Sequence, residues 1–259
     1  MSVLTILKIG GALLQQPEAL SDCLQYFHEL QGHKILVHGG GRRASQISKA
    51  LGITPRMHEG RRITDEATLE VVTMVYAGLE NKRTVAQLQA LGCPAIGLSG
   101  ADANIILSEK RRGGAVDYGF AGDIVSVQSE RLQALLETNL VPVCCAITHD
   151  GNGQLLNTNA DTIAASLAAG LANLYEVELQ YCFEQPGVME DIDNPASLIP
   201  VLNPDNYAAY RANGVIVDGM LPKLDNAFLA VRAGAKRAVI ANLEGLKKGV
   251  GTEVVCLPK

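Results

Sequence analysis

A lysine, Lys8, stands near the end of the apolar run Leu4-Thr5-Ile6-Leu7-Lys8-Ile9-Gly10-Gly11, and a second glycine cluster, His38-Gly39-Gly40-Gly41, closes another run, Ile35-Leu36-Val37. Short aliphatic runs of this kind read as buried strands, and glycines at their carboxyl ends let the backbone turn sharply and present bare N–H groups. An ammonium group beside two such turns is suited to holding phosphate. Three further stretches carry chemistry: Gly60-Arg61-Arg62-Ile63-Thr64, Asn157-Thr158-Asn159-Ala160-Asp161, and Asp218-Gly219-Met220-Leu221-Pro222-Lys223. The guanidinium fork of Arg62 fits a carboxylate. Each residue also has a plainer use: Asp161 stands where a helix begins and suits a cap, and Arg62 beside Arg61 suits a solvated loop.

Neither standard phosphate motif is present, since the chain has no G-x-x-x-x-G-K-[ST] and no G-x-G-x-x-G after a strand. The histidine and three glycines match an esterase oxyanion motif, so a hydrolase is a competitor. Its nucleophile would be Ser99 in Gly97-Leu98-Ser99-Gly100-Ala101, an imperfect elbow, with Asp123 and His149 completing a triad. That reading leaves Lys8 and the stretch 157–161 without a role.

These residues need elements to position them. Apolar residues Leu20, Cys23, Leu24, Phe27 and Leu30 recur at helical spacing over 17–30, and a strand follows over 34–37. Strand, helix, strand implies parallel pairing by a right-handed crossover, which brings both glycine clusters to one edge of the sheet, where α/β ligand sites lie. A short helix is expected over 45–51 and a loop over 54–62. Thr64 or Asp65 would cap a long helical region reaching Leu91, interrupted at Gly78, whose stripe Leu69, Val72, Val75, Tyr76 and Leu79 faces either the core or a partner subunit. Strands are expected over 95–98, 104–107, 123–127, 141–147, 177–182, 237–241 and 253–257, with an exposed hairpin over 108–119. Helices are expected over 130–136, from about 160 to 171, and over 206–212 and 224–233.

At 259 residues and 47% hydrophobic side chains the chain can bury a full core, as one large α/β domain or as two lobes, and the pattern restarts after the alanine-rich helix, which places a lobe boundary near Gly170: 1–170 and 171–259. A net charge of −5 without a basic block argues against a nucleic-acid or membrane-surface partner and for a small molecule. Six scattered cysteines without C-x-x-C spacing read as reduced core thiols, and with no signal-like or membrane-spanning segment the expected compartment is the cytoplasm.

Taken together, the lysine-glycine strand end, the triple glycine, the arginine loop, the 157–161 stretch and the 218–223 stretch resemble the amino acid kinase family, from Lys8 to Thr252. The arginine loop with N-x-N-A-D points to its acylglutamate branch. The resemblance implies an α/β fold, an αβα sandwich with a mostly parallel central sheet. The amino-terminal lobe would bind the acyl amino acid and dimerise, and the carboxyl-terminal lobe would bind ATP with Mg2+. It implies phosphorylation of the side-chain carboxylate of an N-acyl-L-glutamate, first of all the acetyl form, on the route to arginine.

By the same resemblance Lys8 and Lys223 stabilise the transferring phosphoryl group and Asp161 fixes both. Gly10 and Gly11 face phosphate, Gly11 and Gly41 donate backbone N–H groups to the moving phosphoryl, Gly40 with Gly41 lines the substrate pocket, Arg62 takes the α-carboxylate and Asn157 the amide side. Glu184, Gln185, Pro186, Gly187, Val188 and Met189, with Val215, Ile216 and Val217, fall where the family grips the nucleotide. Here the chain departs from its relatives. Phe183-Glu184-Gln185 replaces the usual threonine or serine followed by aspartate, and Glu178 and Gln180 stand in a strand that is otherwise apolar. A weakened binding or regulatory protein of the same fold, or a kinase for another small carboxylate, therefore stays open beside the acylglutamate kinase. Arginine-inhibited relatives carry an extra helix before the first strand, so an arginine-insensitive homodimer is expected.

Overall fold

The computed structural model describes residues 1–58, 60–113, 115–216 and 220–256. Strand β1 (Val3–Ile9), helix α1 (Pro17–Glu29), β2 (His33–His38) and α2 (Gly41–Ala50) form the first strand-helix-strand unit. Pro17 occupies the first turn of α1, where its missing N–H costs nothing, and Leu20, Cys23, Leu24 and Phe27 form the buried face. Helix α2 begins at Gly41, four residues before the expected start, so the triple glycine runs straight into a helix N-terminus.

The stretch expected as a loop contains an antiparallel hairpin, β3 (Arg56–His58) and β4 (Arg61–Ile63). Its strands are three residues long and charged, and β3 is exposed, so no alternation marks them. Asp65 caps α3 (Glu66–Thr73) by accepting from the Thr68 N–H. A π-helical turn, Met74–Glu80, then leads into α4 (Asn81–Ala90). Leu69, Val72, Val75 and Tyr76 lie in the core, whereas Leu79 of the same stripe is only half-buried.

Next come β5 (Ala95–Leu98), β6 (Ile106–Lys110), β7 (Gly122–Val127), α5 (Ser129–Glu137), β8 (Val141–Cys145), β9 (Ile147–His149) and β10 (Leu155–Asn157). The run 141–147, expected as one strand, breaks at Ala146: β8 joins the main sheet and β9 a second one, of order β10-β9-β6-β7. The remainder is α6 (Ala160–Leu171), β11 (Glu176–Cys182), β12 (Val201–Leu202), α7 (Pro204–Ala212), α8 (Leu221–Arg232), β13 (Arg237–Ala241), α9 (Leu243–Lys248) and β14 (Thr252–Val254). The last strand is shorter than expected, and Leu257 lies outside the described residues.

The main sheet has the order β12-β14-β13-β11-β1-β2-β8-β5. Pairing is parallel except between β13 and β14, so β14 and β12 run against the rest. At the centre, β1 pairs with β11 on one side and β2 on the other. Leu4, Ile6, Leu179 and Tyr181 pack against Ile163, Ala164 and Leu167 of α6, while Leu7, Ile9 and Cys182 pack against Leu24 and Phe27 of α1 and Leu88 of α4. Helices thus cover both faces, which is the αβα sandwich.

All six cysteines are unpaired, and five of them are buried. Among the described residues no helix is long and apolar enough to cross a membrane.

Candidate active site

Side chains on a strand alternate between faces, so Lys8 shares the α6 face with Leu4 and Ile6. Because β1 ends at Ile9, its ammonium reaches the rim of the core. There its Nζ lies 2.6 Å from Oδ1 of Asp161, while the Lys223 Nζ lies 3.5 Å from Oδ2 of the same carboxylate. Three elements meet at this triad: the end of β1, the first turn of α6 and the first turn of α8.

Asp161 does not cap its helix. The side chain of Asn159 does so, accepting from the N–H groups of Asp161 and Thr162. The Asp161 carboxylate is therefore left to the lysines, while its backbone carbonyl accepts from the Tyr181 hydroxyl at 3.1 Å. Tyr181 is opposite Lys8 in the β1–β11 register, so this bond ties the start of α6 to the strand beside Lys8. Burial would push the carboxyl up, but Lys8 and Lys223 together outweigh burial and hold it below the ordinary value.

The glycine turns meet across the same opening. A β-carbon built on Gly11 would lie 4.0 Å from the Gly41 amide nitrogen. Gly40 has φ +156°, and a β-carbon there would come within 2.7 Å of the Tyr76 ring, so only glycine fits.

Two cavities flank the triad. The first, about 210 Å³, is lined by Lys8, Asp161, the 39–41 glycines, Arg61, Arg62, Tyr76, Arg111 and Asn157. Arg62 is buried and anchored, its Nη2 donating to the Gly41 carbonyl at 3.0 Å and to the Ser45 hydroxyl at 2.8 Å. Its Nη1 is buried with no partner among the described residues. An unpaired guanidinium N–H is costly unless a ligand satisfies it, and a carboxylate is the natural acceptor. The Asn157 side chain donates to the Thr64 hydroxyl at 2.9 Å, which leaves its amide oxygen for a ligand.

The second cavity, about 330 Å³, is lined by Lys8, Lys223, Gly10, Gly11, the 39–41 glycines, Arg42 and Glu184. Cations and bare N–H groups dominate it, as phosphate requires. Glu184 is exposed at the rim, 3.4 Å from Arg42.

Of the residues expected at the nucleotide, Gly187, Val188 and Ile216 are buried, and Val188 and Ile216 belong to the hydrophobic core. Gln185, Pro186, Met189 and Val215 are half-buried outside both cavities, and Val217 lies outside the described residues. The polar departures in β11 have partners: Glu178 pairs with Arg237 on β13 at 2.8 Å, and the Tyr26 hydroxyl donates to Gln180 at 3.0 Å.

Tyr76, Arg42 and Arg111 line the site without having been marked by the sequence. Tyr76 looked like one more core position, and neither arginine lies in a motif.

The hydrolase triad does not assemble. The Ser99 hydroxyl donates to Asp102 at 2.8 Å, His149 bonds Asn104 at 2.8 Å, and Asp123 is paired with Arg111.

A profile of the amino acid kinase family matches residues 3–242. The chain is 50% identical to the acetylglutamate kinase of Cytophaga hutchinsonii, over 98% of this chain and 99% of that protein. It is 49% identical to that of Phocaeicola vulgatus, over 97% and 98%. The acetylglutamate kinase of Methanopyrus kandleri is 40% identical over 96% of this chain and 99% of its own length. Among solved structures, N-acetylglutamate synthase from Neisseria gonorrhoeae superposes with a TM-score of 0.83 at 21% identity, over 99% of this chain and 60% of that one. Carbamate kinase from Giardia lamblia superposes with a TM-score of 0.68 at 14% identity, over 98% of each chain. The two structures share the fold, and the sequence relatives align over nearly the whole chain; the chain belongs to the amino acid kinase family.

Proposed function

We propose that this chain is an acetylglutamate kinase, transferring the γ-phosphoryl group of ATP to the side-chain carboxylate of N-acetyl-L-glutamate. The observation that carries this reading is the Lys8–Asp161–Lys223 triad standing between a cavity into which Arg62 brings an unpartnered guanidinium N–H and a second cavity lined by cations and glycine turns. The substrate carboxylate oxygen attacks the γ-phosphorus, the bond to the bridging oxygen of the diphosphate breaks, and ADP leaves with that electron pair. Charge on the three equatorial oxygens is met by the two lysines and by the glycine N–H groups. Asp161 keeps the like-charged lysines close and correctly placed.

Arg62, through its unpartnered Nη1, takes the α-carboxylate, and Asn157 takes the amide side. In this reading residues 1–170 bind the acyl amino acid and dimerise, and 171–259 bind the nucleotide through Glu184 to Met189 and 215–217. ATP enters as its magnesium complex. Among the described residues no cluster of His, Cys, Asp or Glu could hold a metal, so the ion would ride on the phosphates, and Glu184, exposed at the second cavity and 3.4 Å from Arg42, is the carboxylate there that would reach toward it. The working assembly is a homodimer.

The test is ATP, magnesium and hydroxylamine with a panel of N-acetyl-glutamate, N-succinyl-glutamate, free glutamate and aspartate. Hydroxamate should form with an N-acyl-glutamate. Product with free glutamate or aspartate alone would move the chain to another branch, and no product with any acceptor would leave only a binding protein. In the active enzyme Arg62→Ala should raise the Michaelis constant for the acyl amino acid ~10–100-fold, the worth of a charged hydrogen-bond pair, and change turnover less. An unchanged Michaelis constant with a fall in turnover would remove Arg62 from the carboxylate.

A further inference from the structure

His38 precedes the triple glycine, is fully buried, and has no role in the chemistry above. Its Nδ1 lies 2.8 Å from the Gly39 carbonyl oxygen and its Nε2 lies 3.0 Å from Nδ2 of Asn81. A carbonyl only accepts, so Nδ1 carries a proton. The other nitrogen is settled independently. Asn81 Nδ2 also faces the Val143 carbonyl at 2.9 Å, while its Oδ1 accepts from the Lys82 ammonium at 3.1 Å, so the amide orientation is fixed. Nδ2 therefore donates to Val143 and to His38 Nε2, which must be bare. Both ends impose one neutral tautomer.

The consequence falls on the next peptide. In a trans peptide the C=O and the following N–H point in opposite directions in one plane. Holding the Gly39 carbonyl against the imidazole thus aims the Gly40 N–H away from it. Gly40 lines both cavities, and its amide finds no acceptor among the described residues.

The π-helical turn explains how Asn81 reaches this place. In an α-helix residues 76 and 81 would point about 140° apart. Here the Asn81 N–H donates to the Tyr76 carbonyl, an i to i+5 bond that brings residue 81 back over residue 76. Both then face the glycine turn, Tyr76 closing on Gly40 and Asn81 on His38.

We propose that His38, held in its Nδ1–H tautomer by Asn81, is a positioning residue that aims the Gly40 N–H at the transferring phosphoryl group. The π-helical turn exists to bring Tyr76 and Asn81 to that task together. The proposal rests on the kinase reading, and its tests separate the two.

Histidine-selective 15N NMR of the wild-type chain should show His38 neutral, protonated at Nδ1, with no titration between pH 5 and pH 9. Protonation at Nε2 would overturn the proposal without reference to activity. Two variants divide the ring. Asparagine places an amide nitrogen near the Nδ1 position, whereas glutamine reaches the Nε2 position and offers nothing at Nδ1. H38Q should lower kcat ~10–100-fold, short of or near the loss of a whole oxyanion donor, with both Michaelis constants within threefold. H38N should recover kcat to within about fivefold of wild type. Equal losses in H38Q and H38N in an active enzyme would sink this proposal alone, and a wild type that forms no hydroxamate would sink the kinase reading with it.

Discussion

Lys8→Ala is expected to lower turnover at least ~100-fold while both Michaelis constants stay within a few fold. The ammonium lines both cavities, so in the proposed reaction it would meet the charge that grows on the moving phosphoryl oxygens rather than either substrate at rest. Its position is dictated by the strand and by Asp161 at 2.6 Å. Lys223→Ala should show a loss of the same kind from the other side. Its side chain is more exposed and its contact with Asp161 is longer, 3.5 Å, so it is the looser of the two. Steady-state kinetics decide the matter: a loss carried by the Michaelis constants, with turnover intact, would assign both lysines to ground-state binding.

The second large effect is on Asp161→Asn. Removing one member of a buried charge pair leaves its partner uncompensated, at a cost of about 3–5 kcal/mol. Here two ammonium groups would face each other with no counter-charge, so turnover should fall together with stability. The sign of the pH dependence follows from the depressed carboxyl. The stabilisation from Asp161 is fully present above the ordinary aspartate value of 3.8 and is lost as pH falls through the lower folded value. Urea unfolding at pH 7 should therefore show a large gap between wild type and D161N, and the gap should narrow below pH 3.8. A constant gap would mean that the loss is one of packing rather than of charge.

Much of this was open to a reader of the sequence because periodicity reports burial. The runs ending in Gly10 and Gly39 and the spaced leucines of α1 are dictated by facing a core, and both glycine clusters met at one sheet edge as parallel pairing requires. Asp161 was ambiguous for a physical reason. Asn159 and Asp161 are both cap-forming types two positions apart, and only the traced helix start shows that Asn159 does the capping. The hairpin of β3 and β4 escaped because its strands are too short and too charged to alternate. Tyr76 and Asn81 escaped for a different reason: a widened turn inside a helical pattern leaves no periodic mark, since tertiary packing decides it. The departures at Glu178 and Gln180 looked damaging until Arg237 and Tyr26 supplied their partners, and neither partner is near them in sequence.

The alternation of β1 has a consequence for how this enzyme can change. A helical surface grades smoothly from one side to another, so a catalytic group on it can drift by a few tens of degrees and keep some function. A strand offers two choices. Lys8 at an even position faces α6 and Asp161; the same lysine at position 7 or 9 would enter the apolar layer of α1, among Leu24 and Phe27. Parity therefore makes the placement of Lys8 beside Asp161 all or none, and no sequence of small shifts along β1 connects one such arrangement to another.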